Sequence, residues 1–258
     1  MIIIKTPQDI KEIKQAAEIW KKVRNDLIKF VKVGMTTKQV DELANKLITS
    51  YGAIPTFYKL YDFPGYICVS VNDQLIHGIG SDYILQENDM ITCDVGITYH
   101  NHVCDAAFTW ILPPNNDLAK QNILRITYQC LMEACKLVCP NQYLGNISNK
   151  IYEIARNNNY QVIKDYGGHG CGNLAHEDPI ILCFGQKDSG IKLVPNMVIC
   201  IEPMLMEGSD RYKINKKNNW TVTSANHKLT CHYEHMVLVT ENGHEILTYQ
   251  EGEDSHIK

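Results

Sequence analysis

The strongest constraint on the fold is one segment, ITCDVGITYHNHVCDAAFTW, which has the pattern of a β-hairpin carrying two carboxylates. Apolar and β-branched residues flank a short polar tip, as is typical of a strand, a turn and a second strand. We centre the turn between Tyr99 and His100. That register places Asp94 directly opposite Asp105, with their Cβ atoms about 5 Å apart on one face. Like charges so placed are destabilising, and the segment offers no lysine or arginine, so we expect a divalent cation between them.

Composition limits the classes of protein to which the chain can belong. Its 258 residues are 45% hydrophobic and 21% charged, which is ordinary for a globular protein. The net charge of −4 does not favour nucleic-acid binding. No apolar run approaches the roughly 18 residues that a membrane span needs. The ten cysteines are scattered without a C-x-x-C pair, which predicts reduced thiols in a cytoplasmic protein.

Helical and strand-like patterns follow one another twice along the chain. Thr6 and Pro7 start the first helix, and Gly52 ends the second. The predicted helices cover about 7–31, 37–51, 118–139 and 146–158, and the predicted strands outside the hairpin cover 66–71, 179–184, 197–206 and 230–240. This order predicts an α+β fold with helices outside a curved antiparallel sheet. We treat residues 1–258 as one catalytic domain in which both halves contribute ligands at the centre.

Three further residues of metal-ligand type lie downstream in unusual settings. His169 is surrounded by glycines in DYGGHGCG, where the backbone can approach another group closely, although an ordinary loop histidine is the alternative. Glu202 ends the apolar run MVICIEPM just before Pro203, and Glu234 opens another apolar run. With the two aspartates these residues fit a hard or borderline divalent site. Four negative charges favour two metals that share bridging carboxylates.

The flanking motifs give the chain a specific resemblance. They are HGIG at 77–80, CDVG at 93–96, GGHGCG at 167–172, HEDP at 176–179, IEPM at 201–204 and YEH at 233–235. Together they resemble the type I methionine aminopeptidases, of pita-bread fold, over nearly the whole chain. The likeness is to the minimal bacterial or organellar form. It implies a pseudo-twofold fold and removal of the initiator methionine from nascent proteins and peptides, with a small second residue preferred.

The resemblance also implies a role for each ligand. Asp94 would chelate one metal, His169 and Glu202 would bind the other, and Asp105 and Glu234 would bridge both. The cofactors would be two divalent ions, with Co, Mn, Fe and Zn all compatible, and they would activate a water or hydroxide. Glu202 would also be the proton shuttle.

Substrate contacts follow from the same resemblance. His176 would hydrogen-bond the scissile carbonyl and His77 would lie near the scissile nitrogen, a structural role being the alternative for each. The residues that fall in segments lining the methionine pocket are Phe57, Tyr61, Phe63, Cys68 and Trp220, for which ordinary core packing is the alternative. A possible monovalent cation site falls on Asn72, Gln74 and Thr230.

Some positions depart from the family pattern. Cys93 and Cys104 stand beside the two aspartates, so we expect thiols near the metals and sensitivity to oxidation or soft cations. Leu60 and Phe63 replace frequent tyrosines, which bears on selectivity.

Two alternative functions keep the same fold. One is an Xaa-Pro aminopeptidase or dipeptidase, although those relatives generally carry an additional N-terminal domain. The other is an inactive module that binds nascent chains or the ribosome, although such proteins typically lose metal ligands. We expect a monomeric cytoplasmic enzyme that meets nascent chains with N-terminal methionine at the ribosome, without direct nucleic-acid or membrane contact.

Overall fold

Three of the four long helices begin at residues whose side chains cap their free N–H groups. The computed structural model describes residues 2–253, and its helices are Pro7–Phe30 (α1), Thr37–Ser50 (α2), Leu118–Cys135 (α3) and Leu144–Asn157 (α4). Thr6 and Asp9 cap α1 reciprocally, and Thr36 does the same for α2 with Gln39. The predicted helices are therefore confirmed, although α3 ends four residues early. Within residues 2–253 no helix is long and apolar enough to cross a membrane.

Fifteen described strands form four sheets, and every pairing within the sheets is antiparallel. In the first half they are Ile54–Pro55 (β1), Cys68–Val71 (β2), Gln74–Ile76 (β3), Met90–Tyr99 (β4) and His102–Ile111 (β5). In the second half they are Tyr160–Val162 (β6), Gly167–Gly170 (β7), Glu177–Leu182 (β8), Val198–Ile201 (β9), Met204–Glu207 (β10), Tyr212–Ile214 (β11), Val222–Ser224 (β12), Thr230–His232 (β13), His235–Val239 (β14) and His244–Ile246 (β15). Each half thus has two helices before its main sheet, as the sequence predicts.

The β4–β5 hairpin is the centre of the first half, and helix α1 packs across it. Trp20 of α1 is buried and donates from its indole Nε1 to the carbonyl of Val95 at 2.9 Å. Its ring also meets Phe108 edge-on, with centroids 5.8 Å apart. The hydrogen bond satisfies the polar group of a buried indole, so α1 is fixed on the hairpin in one position.

Two of the predicted strands are each interrupted at a glutamate. Predicted strand 197–206 divides into β9 and β10 at Glu202 and Pro203, because proline has no N–H to continue the ladder. Predicted strand 230–240 divides into β13 and β14 at Tyr233 and Glu234. The Glu234 N–H instead donates to the carbonyl of Ala107 on β5 at 2.9 Å. Both glutamates therefore lie outside the regular strands, and the Glu234 backbone is bonded to the hairpin instead.

Candidate active site

The register of the β4–β5 hairpin differs from our prediction. Tyr99 pairs with His102, so the turn is the two-residue loop at 100–101, in which both residues have positive φ, +47° and +61°. Such a pair is typical of a type I′ turn, whose twist matches that of the flanking strands. Asp94 therefore pairs with Ala107 rather than with Asp105.

A two-residue displacement moves the aspartates apart without changing the face on which they lie. Asp105 lies opposite Gly96, and Asp94 is therefore its diagonal neighbour, about 7–8 Å away by the usual geometry of a sheet. Because side chains alternate with a period of two, the prediction that both point to the same face is confirmed. The prediction that they are directly opposed is wrong.

Three carboxylates meet on this face of the hairpin. Asp94, Asp105 and Glu234 each offer an oxygen within 4.8 Å of the others. Asp105 Oδ1 and Glu234 Oε1 are buried and have no hydrogen-bond partner among the described residues. Burial raises the pKa of all three well above the ordinary value, and the neighbouring carboxylates raise it further. Buried, mutually repelling oxygens without donors are what a cation would satisfy, so the donor set fits divalent metal.

His169 and Glu202 extend this cluster from the second half of the chain. His169 Nε2 lies 4.0 Å from Asp105 Oδ2 and 3.9 Å from Glu202 Oε1. Burial raises the pKa of Glu202, but the imidazoles of His232, His169 and His77 outweigh it and hold that pKa below the ordinary value. Glu202 thus differs from the other three carboxylates, because imidazoles surround it. The structure brings all five predicted metal ligands together in one cavity.

His232 completes the cluster, and sequence reasoning missed it. Its side chain is 1% exposed, and its Nε2 lies 3.1 Å from Glu202 Oε2. The atoms of Glu202, His232 and Glu234 that can bind metal lie within 4.8 Å of one another. A sequence signal was available, because His232 lies two residues before Glu234, and side chains two apart along an extended chain share a face.

The thiols nearest the carboxylates are not the ones we expected. Cys93 and Cys104 immediately precede the two aspartates on their strands, so alternation directs both thiols away from the carboxylate face, which corrects the prediction. Cys68 pairs directly with Asp94 across β2 and β4, and its thiol hydrogen-bonds that carboxylate. Cys200 lies two residues before a ligand, as His232 does, and its thiol donates to the carbonyl of Asp105 at 3.7 Å.

His77 and His176 line the same cavity as the carboxylates. Burial lowers the pKa of His77, and burial together with the neighbouring His169 lowers the pKa of His176 to about 4. Both imidazoles are therefore neutral at pH 7. The His176 ring meets that of His169 edge-on, with centroids 4.5 Å apart. His77 lies between Tyr166 and Trp220, with centroids 5.5 and 6.1 Å away.

An apolar pocket adjoins the carboxylates within a cavity of about 660 Å³. Phe57, Phe63 and Cys68 form a small buried cluster separate from the main core, and Trp220 packs against it. Gly96, opposite Asp105, leaves room for this wall, because a Cβ there would lie 2.6 Å from Phe57 Cε1. Four of the five residues predicted to line the methionine pocket therefore adjoin one another.

Tyr61, the fifth predicted pocket residue, lies elsewhere on the cavity wall. It is 67% exposed and stacks on His176, with ring centroids 5.8 Å apart. Its backbone is left-handed, with φ of +50°. Tyr61 thus belongs to the cavity mouth rather than to the buried pocket.

The residues predicted to hold a monovalent cation also lie near one another. The Thr230 N–H and Oγ1 donate to the carbonyl of Asn72 at 3.0 and 3.2 Å. The Asn72 side chain donates to Asp89, and Gln74 accepts from the Val71 N–H. These side-chain groups therefore already have protein partners, and the site stays a prediction.

Comparison with known proteins identifies the family. The model of metallopeptidase family M24 matches residues 11–241. The chain belongs to metallopeptidase family M24. It is 41% identical to a methionine aminopeptidase of Mycoplasmoides gallisepticum over 96% of this chain and 100% of that protein. It is 38% identical to methionine aminopeptidase 1 of Bacillus subtilis, over 96% and 99% of the two chains.

Similar solved structures confirm the predicted α+β pita-bread fold. Methionine aminopeptidase from Rickettsia prowazekii matches with a TM-score of 0.94 and 31% identity, over 96% of this chain and 100% of that one. Prolidase from Pyrococcus furiosus matches with a TM-score of 0.78 and 24% identity, over 96% of this chain but 66% of that one. The prolidase likeness concerns the fold alone. Divalent metal use follows for the chain from its membership of a metallopeptidase family together with the clustered ligands.

Proposed function

We propose that the chain removes N-terminal methionine from nascent proteins and peptides, with a small second residue preferred. One observation carries this proposal. The five ligand candidates and two neutral histidines share a cavity with a pocket of aromatic rings and a thiol. An unbranched, polarizable thioether suits such walls. Two relatives that match over 99–100% of their own length are named methionine aminopeptidases, and this supports the same substrate.

The metal centre we propose contains two divalent ions. Asp94 would hold one ion, His169 and Glu202 would hold the other, and Asp105 and Glu234 would contribute to both. When bound, the ions neutralise these carboxylates and supply Lewis-acid activation of the attacking water and the scissile carbonyl. Co, Mn, Fe and Zn are all compatible with this ligand set.

The chain's own residues then bind the substrate and move the proton. The pocket of Phe57, Phe63, Cys68 and Trp220 holds the methionine side chain, so the first peptide bond lies beside the carboxylates. Glu202 takes the proton of the attacking water on a carboxylate oxygen and passes it to the leaving amine nitrogen. The neutral His176 donates to the carbonyl oxygen as negative charge develops there. His77 contacts the scissile nitrogen or the following residue.

We propose the cellular location and oligomeric state of the protein from its composition and its family. We infer one catalytic domain that acts as a cytoplasmic monomer on chains emerging from the ribosome. The net charge of −4 does not favour direct nucleic-acid contact.

A peptide panel tests the proposed function against its two alternatives. Metal-free protein is loaded in turn with Mn, Fe, Co or Zn and given Met-Ala, Met-Leu and Xaa-Pro peptides. We expect release of methionine from Met-Ala and little from Met-Leu. Cleavage of Xaa-Pro peptides alone would identify a prolidase-like enzyme. Absence of cleavage with every metal would favour the inactive binding module.

A further inference from the structure

The N-terminal segment of residues 2–5 runs along the mouth of the active-site cavity. Ile2 forms a bridge with Asp178, and Ile3 lines the cavity itself. Lys5 follows, with a side chain that is 0% exposed. A buried lysine is rare unless its ammonium is paired, so the surroundings of Lys5 show what the segment holds.

Lys5 is paired with Glu177, the residue next to His176. Lys5 Nζ donates a hydrogen bond to Glu177 Oε2, and the Glu177 side chain is 1% exposed. The backbone N–H of Lys5 donates to the carbonyl of Asn196 at 2.9 Å. The first turn of α1 begins immediately afterwards. Lys5 is therefore held both at its backbone N–H and at its side-chain ammonium.

The second oxygen of Glu177 holds the turn that precedes His176. Glu177 Oε1 accepts from the backbone N–H groups of Asn173 and Leu174 at 2.8 and 2.9 Å. Glu177 also pairs across β7 and β8 with Gly170, the neighbour of His169. One carboxylate therefore joins Lys5 to the backbone that lies between the two histidines.

The loop lies directly against the Lys5 stem. Gly172 has φ of +126°, and a Cβ there would lie 2.9 Å from Lys5 Cε and 2.6 Å from Ile13 Cδ1. The carbonyl of Gly172 accepts from the Val103 N–H on the hairpin at 2.7 Å. The Lys5 stem thus packs against the loop that connects His169 to His176, and the same loop is hydrogen-bonded to the hairpin.

His176 depends on this backbone for its position. Among residues 2–253 no group hydrogen-bonds its ring, which instead packs against His169 and the exposed Tyr61. An imidazole without hydrogen bonds points where its main chain and packing direct it. The neighbouring Glu177 is fixed by Lys5 and by the N–H groups of Asn173 and Leu174.

We propose that Lys5 is a positioning residue for His176. Its buried ion pair with Glu177 holds the 173–177 segment so that the imidazole faces the scissile carbonyl. This inference rests on the proposed function of His176. A fully buried pair returns little net stability against a hydrophobic replacement, so geometric precision is the gain it offers here. Misplacement of a catalytic group by about 1 Å costs about 100-fold in rate.

Two variants separate positioning from stability. Lys5→Met leaves Glu177 buried without its cation, so it lowers both stability and kcat. In Lys5→Met with Glu177→Gln no uncompensated charge remains, and the glutamine oxygen can still accept from the 173–174 turn. We expect stability to recover in this double variant while kcat stays at least about tenfold below the native value. KM and the metal dissociation constant should stay within about twofold. Recovery of kcat together with stability would overturn the proposal.

A double-mutant cycle tests whether Lys5 acts through His176. In a His176→Ala background the Lys5 and Glu177 replacements should lower kcat no further, because the group that they position is gone. An equal loss in both backgrounds would overturn the proposal. Lys14→Met is the matched control. Lys14, on helix α1, also pairs with a glutamate, Glu245 at 2.6 Å, but this ion pair lies on the surface. This variant should leave kcat unchanged.

A spectroscopic readout keeps this inference distinct from the proposed function. The metal-loaded native and double-variant proteins are labelled at histidine, and the His176 ring signal is assigned from His176→Ala. We expect that signal to shift in the double variant but not in Lys14→Met. An unmoved signal would overturn the positioning role even if methionine is not the substrate. A shifted signal without methionine release would refute the proposed function alone.

Discussion

His232 Nε2 lies 3.1 Å from Glu202 Oε2, inside the ring of metal-ligand candidates. Glu202 lies in the break between β9 and β10, whereas His232 is the last residue of β13, and both side chains are buried or nearly so. A buried imidazole beside a ligating carboxylate fixes the orientation of that carboxylate, which tunes both metal binding and proton transfer.

Replacing His232 by leucine should therefore weaken the metal centre. We expect a loss of about 10–100-fold in metal affinity or in kcat, the usual effect of removing a partner of a ligand. His232→Gln keeps an N–H donor and serves as the control, with a smaller loss. Calorimetric metal titration and steady-state kinetics measure both. Equal behaviour of the leucine and glutamine variants would show that the donor is unimportant.

Glu202→Gln should lower kcat by about 100- to 10,000-fold, because an amide cannot take the proton of the attacking water. Metal content is measured in parallel, so that loss of the proton shuttle is separated from loss of a ligand. Glu207→Gln is the control on the same strand region, since Glu207 pairs at the surface with Lys228. A metal-replete Glu202→Gln enzyme with a near-native rate would exclude the shuttle role.

Gly96→Ala should disturb the methionine pocket through the hairpin. The added Cβ would lie 2.6 Å from Phe57 Cε1, so the aromatic wall must move. Overpacking of this kind typically costs about 1–3 kcal/mol in unfolding free energy, and we expect a raised KM for Met-Ala as well. At Gly243 a Cβ would meet no atom within 4 Å, so Gly243→Ala is the matched control. Similar KM values for the two variants would contradict the assigned pocket wall.

Metal-free protein should become less stable as pH rises, and Asp105→Asn should reduce that loss. Burial raises the pKa of Asp105 in the folded chain. A carboxyl whose pKa is higher folded than unfolded stabilises the fold at acid pH and loses that contribution as pH rises above about 4. Without metal, Asp105→Asn should therefore be the more stable protein at pH 8 and lose its advantage towards pH 5. Urea unfolding at both pH values, with chelator present, measures the difference. A constant difference would show that Asp105 is ionised without metal.

Local signals in the sequence were sufficient for the helices, while tertiary contacts decided the register and the short strands. Thr6, Pro7 and Gly52 act within one helical turn, so the bounds of α1 and α2 could be predicted closely. The turn at 100–101 was misplaced by one position, because Tyr-His-Asn-His offers several residues for its centre. Short edge strands such as β11 lack a periodic pattern and form because other strands pair with them.

The five metal ligands could be predicted because carboxylates in apolar runs require compensation and because their motifs resemble a known family. His232 and Cys200 were missed because a resemblance transfers only the residue types that the family pattern contains. Lys5 was missed for a different reason. Its partner Glu177 is 172 positions away, and the pairing becomes visible only when the N-terminal segment meets β8 in the folded chain.

The course of residues 2–5 also matters for anyone who purifies or immobilises the protein. Because Ile2 pairs with Asp178 and Ile3 lines the cavity, any affinity tag joined ahead of residue 2 starts beside the active-site cavity. Such a tag is itself an N-terminal peptide chain, held at high local concentration beside a site built for N-terminal peptide chains. Kinetic constants measured on an N-terminally tagged preparation would then include competition between the tag and the added substrate for the active site.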